Sequence, residues 1–268
     1  MINFYSMEQP HWRPEKIRYS TALLFAAVAM SSSAGVPTNG LVASYNFNGN
    51  ANDLSGKGHY GTLHNVTLTS NRFGNGRSAY SFNGTDAYIE IPDHKDFSVS
   101  TTGKLSISVW MRPGTLKFPK VEGPQKQYVH WMGKGVANQQ EWTFRMYSTD
   151  NIENRDNRTS FYLFNLIGGE GAGSYVQEPV EPGRWYHYVA VVDMSTDTIT
   201  WYKNGQFKDQ DPFINSEYHI HPKNGTAPVR IGTKDFASYF RGAIDNINIY
   251  NRALSEFEIG QLYADTTP

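Results

Sequence analysis

Residues 183–206, GRWYHYVAVVDMSTDTITWYKNGQ, decide the fold class of this 268-residue chain. Two runs, 185–193 and 198–204, are dominated by Tyr, Val, Ile, Thr and Trp, the side chains that pack best on a pleated, half-buried surface. Asn204-Gly205 then stands between WYK and QF. That dipeptide accepts the positive φ that both central residues of a two-residue hairpin turn need, so the chain is expected to reverse there between antiparallel strands.

Outward from this stretch the dominant period is two. LVASYNF (41–47) alternates Leu41, Ala43, Tyr45 and Phe47 against Val42, Ser44 and Asn46. Short segments of the same kind recur at 79–82, 87–91, 105–111, 127–132, 141–147, 160–167, 228–232 and 242–250, separated by Gly, Asn, Asp or Pro. Such spacing predicts an all-β protein, an antiparallel sandwich or jelly roll. One helix is expected, at the end: in ALSEFEIGQLYAD (253–265) Ser255 precedes Glu258 by three residues, a capping box, and Leu254 and Ile259 can staple it. No linker divides residues 40–268, which read as one domain.

Aromatic residues make up 14 % of the chain, enough to fill a sizeable core and argue against general disorder. The formal net charge of −1 gives no footprint for nucleic acid or an anionic membrane. There is no cysteine, so neither a disulfide nor thiol chemistry is available. Arg13, Lys16 and Arg18 precede the apolar run TALLFAAVAM (21–30), and Ser32 and Ala34 offer small residues for cleavage. Residues 1–34 therefore read as a secretory signal peptide, the other reading being an amphipathic or buried N-terminal helix. The apolar run is too short to span a bilayer. The domain from 35 to 268 is expected outside the cytosol of a bacterium, secreted, periplasmic or on the cell surface, as a monomer without membrane insertion.

Three segments carry a family resemblance: residues 40–91, from GLVASYNFNGNANDLSGKGHYGTL to AYIEI; residues 183–206; and residues 229–259, VRIGTKDFASYFRGAIDNINIYNRALSEFEI. Together they resemble the bacterial laminin-G-like (concanavalin A-like lectin/glucanase) jelly roll, two antiparallel sheets with a short C-terminal helix. That resemblance covers nearly all of the chain after residue 34. It implies sugar-binding modules, adhesion and scaffold domains and, more distantly, glycoside hydrolases and polysaccharide lyases, because one fold hosts many activities.

The resemblance also implies a structural calcium ion joining the glycine-rich loop NGNANDLSGKGHYG (48–61) to an aspartate on the last strand. The matching positions are Asp53 and Asp245, with Asn46 or Asn48 and the carbonyls around Gly58 and His59 completing an oxygen shell. Family members often carry Asp where this chain has Asn48. The other reading of the loop is a plain Asx turn at Asp53, with Asp245 on the surface. Asp245 shares strand parity with Ile247 and Ile249, which points its side chain inward, where a buried carboxylate needs a partner.

For sugar binding, stacking aromatics and planar hydrogen-bonding groups must share one face. In EWTFRMY (141–147) Trp142, Phe144 and Met146 read as core, while Thr143, Arg145 and Tyr147 share the other face. His130 and Tyr162 on neighbouring strands join them, and Arg145 with His130 suits an acidic polysaccharide. Equally, these are ordinary outward-facing strand residues. GGEGAGSY (168–175) either shapes one end of a groove or forms a glycine hairpin.

A glycoside hydrolase needs two carboxylates flanking the cleaved bond, and no E-x-D-x-x-E cluster occurs. A lyase needs a group to neutralise a uronate and a His or Tyr for proton transfer; QYVH (127–130) is similar to the Q-x-H strand of jelly-roll alginate lyases, though a matching Arg strand is missing. The expected function is non-catalytic binding of an extracellular or cell-wall polysaccharide. The alternatives are a polysaccharide lyase or glycoside hydrolase on the same scaffold, and an adhesion or matrix protein that binds another protein.

Overall fold

The computed structural model describes residues 35–123 and 127–266. The expected leader, 1–34, lies outside the described residues. The chain begins with β1 (Leu41–Tyr45), β2 (Thr62–His64), β3 (Thr67–Thr69), β4 (Ala79–Asn83) and β5 (Tyr88–Ile91). A 3-10 turn (Lys95–Phe97) and a four-residue helix α1 (Val99–Thr102) lead into β6 (Lys104–Pro113), β7 (Tyr128–Lys134), β8 (Trp142–Tyr147), β9 (Arg158–Leu163) and β10 (Ala172–Gln177). The rest comprises β11 (Tyr186–Asp193), β12 (Thr198–Lys203), β13 (Gln206–Pro212), β14 (Val229–Ile231), β15 (Arg241–Tyr250) and α2 (Glu256–Ala264).

These strands form two antiparallel sheets. The first has the order β13-β12-β11-β6-β15-β4-β3, with β1 also paired to β15, and the second β10-β9-β8-β7-β14-β5-β2. The β12–β13 reversal is the two-residue turn read from Asn204-Gly205, whose φ values are 55° and 73°. The capping box forms as expected, with the Ser255 side chain and Glu258 exchanging hydrogen bonds. Two details differ from the sequence reading. Strand β1 stops at Tyr45 because Phe47 takes a φ of 51°, outside the extended range. The region 95–102 coils into two short helical turns that the period-two pattern hid, and Gly103 ends them with a φ of 76°.

The core lies between the sheets. Trp131, Met132, Trp142, Phe144, Met146 and Phe161 from the second sheet meet Ile107, Tyr188, Trp201, Ile247 and Ile249 from the first, all fully buried. Trp201 joins the layers, stacked on Tyr188 at 5.3 Å and tilted against Phe144 at 5.7 Å. The outer face of the first sheet is covered in part by α2 and the residues just before it, through Leu254, Ile259 and Leu262 on Val189, Tyr202 and Tyr250.

Two bulges position residues that the sequence singles out. In β7 the register against β8 slips between His130 and Met132, so Trp131 and Met132 both enter the core while His130 stays on the outer face. In β15 the register against β6 slips between Asp245 and Asn248. There the strand also changes partner along its other edge, from β4 at Arg241–Ile244 to β1 at Ile247–Tyr250.

Replacing Trp201 by Ala removes the side chain that joins the layers and is expected to cost about 3–5 kcal/mol in urea unfolding. Phe257→Ala, on an exposed helix position, should stay within about 0.5 kcal/mol of the parent.

Candidate functional site

The outer face of the second sheet, turned away from the core, carries a recess of about 580 Å³. Strand alternation builds it. On β8, Trp142, Phe144 and Met146 face the core, which leaves Thr143, Arg145 and Tyr147 on the other side. Registry places His130 directly opposite Arg145, and Tyr162 of β9 opposite Thr143. Three of the four residues expected to meet a ligand, His130, Arg145 and Tyr162, line this recess. The fourth, Tyr147, does not: it is 2 % exposed, and its hydroxyl accepts a hydrogen bond from Arg155 Nη1 at 2.8 Å.

Arg145 occupies the centre. Its guanidinium carbon lies 3.9 Å from the Tyr128 ring centroid and 4.1 Å from that of Tyr162, so aromatic faces hold the planar group on both sides. Its Nε donates to His130 Nε2 at 3.2 Å. Among the described residues Nη1 and Nη2 donate to no protein acceptor. On its far side His130 Nδ1 meets Glu122 Oε1 at 2.5 Å, and the Ser238 hydroxyl donates to the same oxygen at 2.7 Å. Burial pushes the His130 imidazole down to about 4, so it is neutral at pH 7. Burial alone would raise Glu122, yet the His130 and Ser238 contacts and the nearby Lys234 charge hold its carboxyl well below the usual range.

The recess walls come from loops. Gly168, Gly169, Glu170 and Gly171 form one end, the part of GGEGAGSY read as a groove wall, and Gly168 and Gly169 take φ values of 91° and 100° that glycine tolerates best. Glu217, Tyr218 and Lys234 complete the rim, with Lys234 Nζ donating to Gln140 Oε1 at 2.8 Å. Sequence reasoning missed Tyr128, although it stands two residues before His130 on the same strand face. Glu122 and Lys234 carried no signal, since long-range loop placement alone brings them in.

The residues expected to bind calcium lie in the loop 48–61 and on β15. Asp53 is an Asx-turn acceptor: Oδ1 accepts the backbone N–H of Ser44 and Ser55 at 3.0 and 2.9 Å, and Oδ2 accepts the Ser55 hydroxyl and the His59 N–H at 2.8 and 3.0 Å. Although burial opposes it, these four bonds hold the Asp53 carboxyl below its usual range. The His59 carbonyl accepts the Tyr45 hydroxyl at 2.5 Å. Asn48 is exposed in the loop, its N–H donating to Asn46 Oδ1, and Gly58 lies beside His59 with a φ of 81°.

Asp245 is fully buried but pairs with Trp110, on the face opposite Ile244, Ile247 and Ile249; the bulge breaks the parity read from the sequence. Its charge faces Arg72, whose Nη1 lies 3.8 Å from Asp245 Oδ2. The Arg72 guanidinium also donates to Asn246 Oδ1 at 2.8 Å and to the Asp265 carbonyl at 2.7 Å, and it lies over the Trp110 ring at 4.6 Å. In this arrangement the Asp53 carboxylate accepts from three N–H groups and a hydroxyl, and the Asp245 carboxyl faces an arginine.

Comparison with known proteins agrees with the fold. The sequence model of the concanavalin A-like lectin/glucanases superfamily matches residues 83–260, and the chain belongs to that superfamily. No curated protein sequence matches the chain. Among solved structures it is similar to domain 4 of AbnA, a GH43 extracellular arabinanase from Geobacillus stearothermophilus, in complex with arabinotriose. The TM-score is 0.60 and the identity 20 %, over 83 % of this chain and 98 % of that one. It is also similar to the binding domain of botulinum neurotoxin DC in complex with SialylT (TM-score 0.59, 15 % identity, 84 % of this chain and 51 % of that one). A third is the binding domain of Paraclostridial Mosquitocidal Protein 1 (TM-score 0.64, 18 % identity, 84 % and 52 %). The chain spans about half the length of these two toxin binding domains. No helix among the described residues is long and apolar enough to cross a membrane.

Burial pushes the Asp245 carboxyl up to about 7, against the opposing pull of the Asn246 N–H and Arg72. An unfolded Asp releases its proton near pH 3.9. Between those values the folded chain holds the proton more tightly, so this group's contribution to stability is full below about pH 4 and is lost as pH rises through 7. The stability of Asp245→Asn relative to the parent should therefore rise by about 2–3 kcal/mol between pH 5 and pH 8 in denaturant unfolding. A variant weaker than the parent at pH 8 would reveal the Arg72 pair as net stabilising.

Proposed function

We propose that this exported, monomeric jelly roll binds a carbohydrate bearing a carboxylate, through the recess on the outer face of its second sheet. The observation that carries the reading is Arg145, held flat between Tyr128 and Tyr162 with its Nη1 and Nη2 edge unused by the described residues. A guanidinium edge matches a carboxylate in bidentate fashion. Tyrosine rings and the Gln140 amide supply the stacking and planar hydrogen-bonding surface a sugar ring needs. The arabinotriose and SialylT bound to two structural neighbours support a glycan as the class of ligand. Export rests on the leader pattern at 1–34.

A polysaccharide lyase is the second reading, favoured by the meeting of Arg145, His130 and two tyrosines in one recess. The hydrogen bonding weighs against it. Both ring nitrogens of His130 are engaged, Nε2 by Arg145 and Nδ1 by Glu122, so neither offers a free lone pair to a substrate proton. Burial pushes the Tyr128 phenol up, away from the phenolate a base requires.

The test is a glycan array followed by affinity measurements on acidic and neutral polysaccharides. Retained glycans should carry carboxylates, and Arg145→Ala and Tyr162→Ala should each weaken binding at least about tenfold, or 1.4 kcal/mol. Tyr147→Phe, outside the recess, should leave affinity unchanged. If nothing is retained, or if folded Arg145→Ala binds like the parent, the recess reading fails. Unsaturated uronate products appearing in an absorbance assay would move the assignment to the lyase.

A further inference from the structure

Far from Arg145 in sequence, the glycine-rich loop 48–61 and the 3-10 turn at 95–97 bring two histidines and an aspartate together. His59 Nε2 lies 3.5 Å from Asp96 Oδ2, and His94 Nδ1 lies 3.3 Å from the same oxygen. The two imidazole centroids are 4.6 Å apart, and one ligand atom from each of the three residues falls within 4.8 Å of the others. In a tetrahedral zinc shell with bonds of about 2.0–2.1 Å, neighbouring ligand atoms stand roughly 3.3 Å apart. Two edges of that tetrahedron are already at this length.

A second observation points to a ligand. The His59 side chain is 10 % exposed, and its Nε2 is buried without a hydrogen-bond partner. A buried polar atom left unpaired is costly, and this one is aimed at the carboxylate and at His94. Its direction is fixed from three sides: the His59 N–H donates to Asp53, its carbonyl accepts Tyr45, and its ring packs on Phe97 at 4.7 Å. Among the described residues His94 Nδ1 accepts only the Asp96 N–H, at 3.3 Å, longer than an ordinary hydrogen bond and easily given up to a cation.

We propose that His59, His94 and Asp96 bind a zinc ion. Two imidazoles and one carboxylate suit zinc; calcium needs six to eight oxygens, which this cluster lacks. Three protein ligands leave a fourth position for water, and a recess of about 410 Å³ beside His59 and His94 gives it room. The ion ties the loop 48–61 to the turn before β6. His59, whose carbonyl was expected to serve calcium, serves zinc through its ring.

The test uses the full chain, stripped of metal by a chelator and dialysed. Zinc chloride should bind in calorimetry at one ion per chain and raise the melting temperature to a plateau, while calcium chloride should not. Cobalt(II) should give the intense visible bands of a four-coordinate site. His94→Ala, at a half-exposed position, and the near-isosteric Asp96→Asn should each weaken zinc binding more than about 100-fold, since losing even an outer partner of a ligand costs ten- to 100-fold. Both should keep the melting temperature of the metal-free parent, which separates a lost ligand from a lost fold. His219→Ala, outside the cluster, should bind zinc normally. Absence of saturable zinc binding, or binding that survives both substitutions, overturns the site.

Discussion

A strand has only two faces, and the second sheet commits one of them entirely to aromatic core. With Trp142, Phe144, Met146 and Phe161 locked against the first sheet, a one-residue slip of β8 would put Arg145 into the core and Phe144 into the recess. Register is thus fixed by apolar burial, worth roughly 1.5–3 kcal/mol for each large side chain. The polar face inherits that precision without contributing to it. His130 stands opposite Arg145 because Val129, Trp131 and Met132 are anchored on the other side. Within the described strands of the second sheet the alternation yields at Trp131, and it yields toward the core.

Without cysteine, charge pairs do part of the work of joining distant segments. Lys134, fully buried at the end of β7, meets Glu141 at the start of β8 and Asp93 in the segment after β5, and donates to the Gly225 carbonyl. Arg72 does the same near the chain ends, gathering Asp245, Asn246 and the Asp265 carbonyl. Such groups need not add net stability, because desolvation offsets their attraction. Removing one partner is nevertheless costly, since the other charge stays buried alone. They specify which segments meet more than how tightly the fold holds.

How far the sequence was legible follows from how local each signal is. The β12–β13 turn, the capping box at Ser255 and the inward set on β8 are set within a few residues, and each is found where local chemistry put it. His130, Arg145 and Tyr162 meet because neighbouring strands pair, the next simplest rule. Tyr147 obeys the same parity, but Arg155 and the segment after β8 cover it, which strand period cannot reveal. The face on which Asp245 lies is illegible for a sharper reason. The bulge inverts parity beyond Asn246, whose φ is 43°, so counting backward from Ile247 and Ile249 gave the wrong face. Arg72, 173 residues earlier in the chain, had no local mark as its partner.

The stacked arginine also decides what kind of recognition this recess can support. A free arginine side chain carries about 2 kcal/mol of rotamer entropy, which a flexible surface residue loses on binding. Here Tyr128, Tyr162 and His130 have already taken up that loss in folding, so the carboxylate of the proposed ligand would meet an ordered guanidinium edge. Preorganisation of this kind lowers the cost of the right ligand and offers little to a wrong one. Glu170 and Glu217 on the rim would reinforce that discrimination, since the proposed ligand would meet repulsion wherever it brought negative charge away from Arg145 and Lys234. For the proposed ligand, such a recess would choose the position of one charge on a sugar chain more than hold any polyanion strongly.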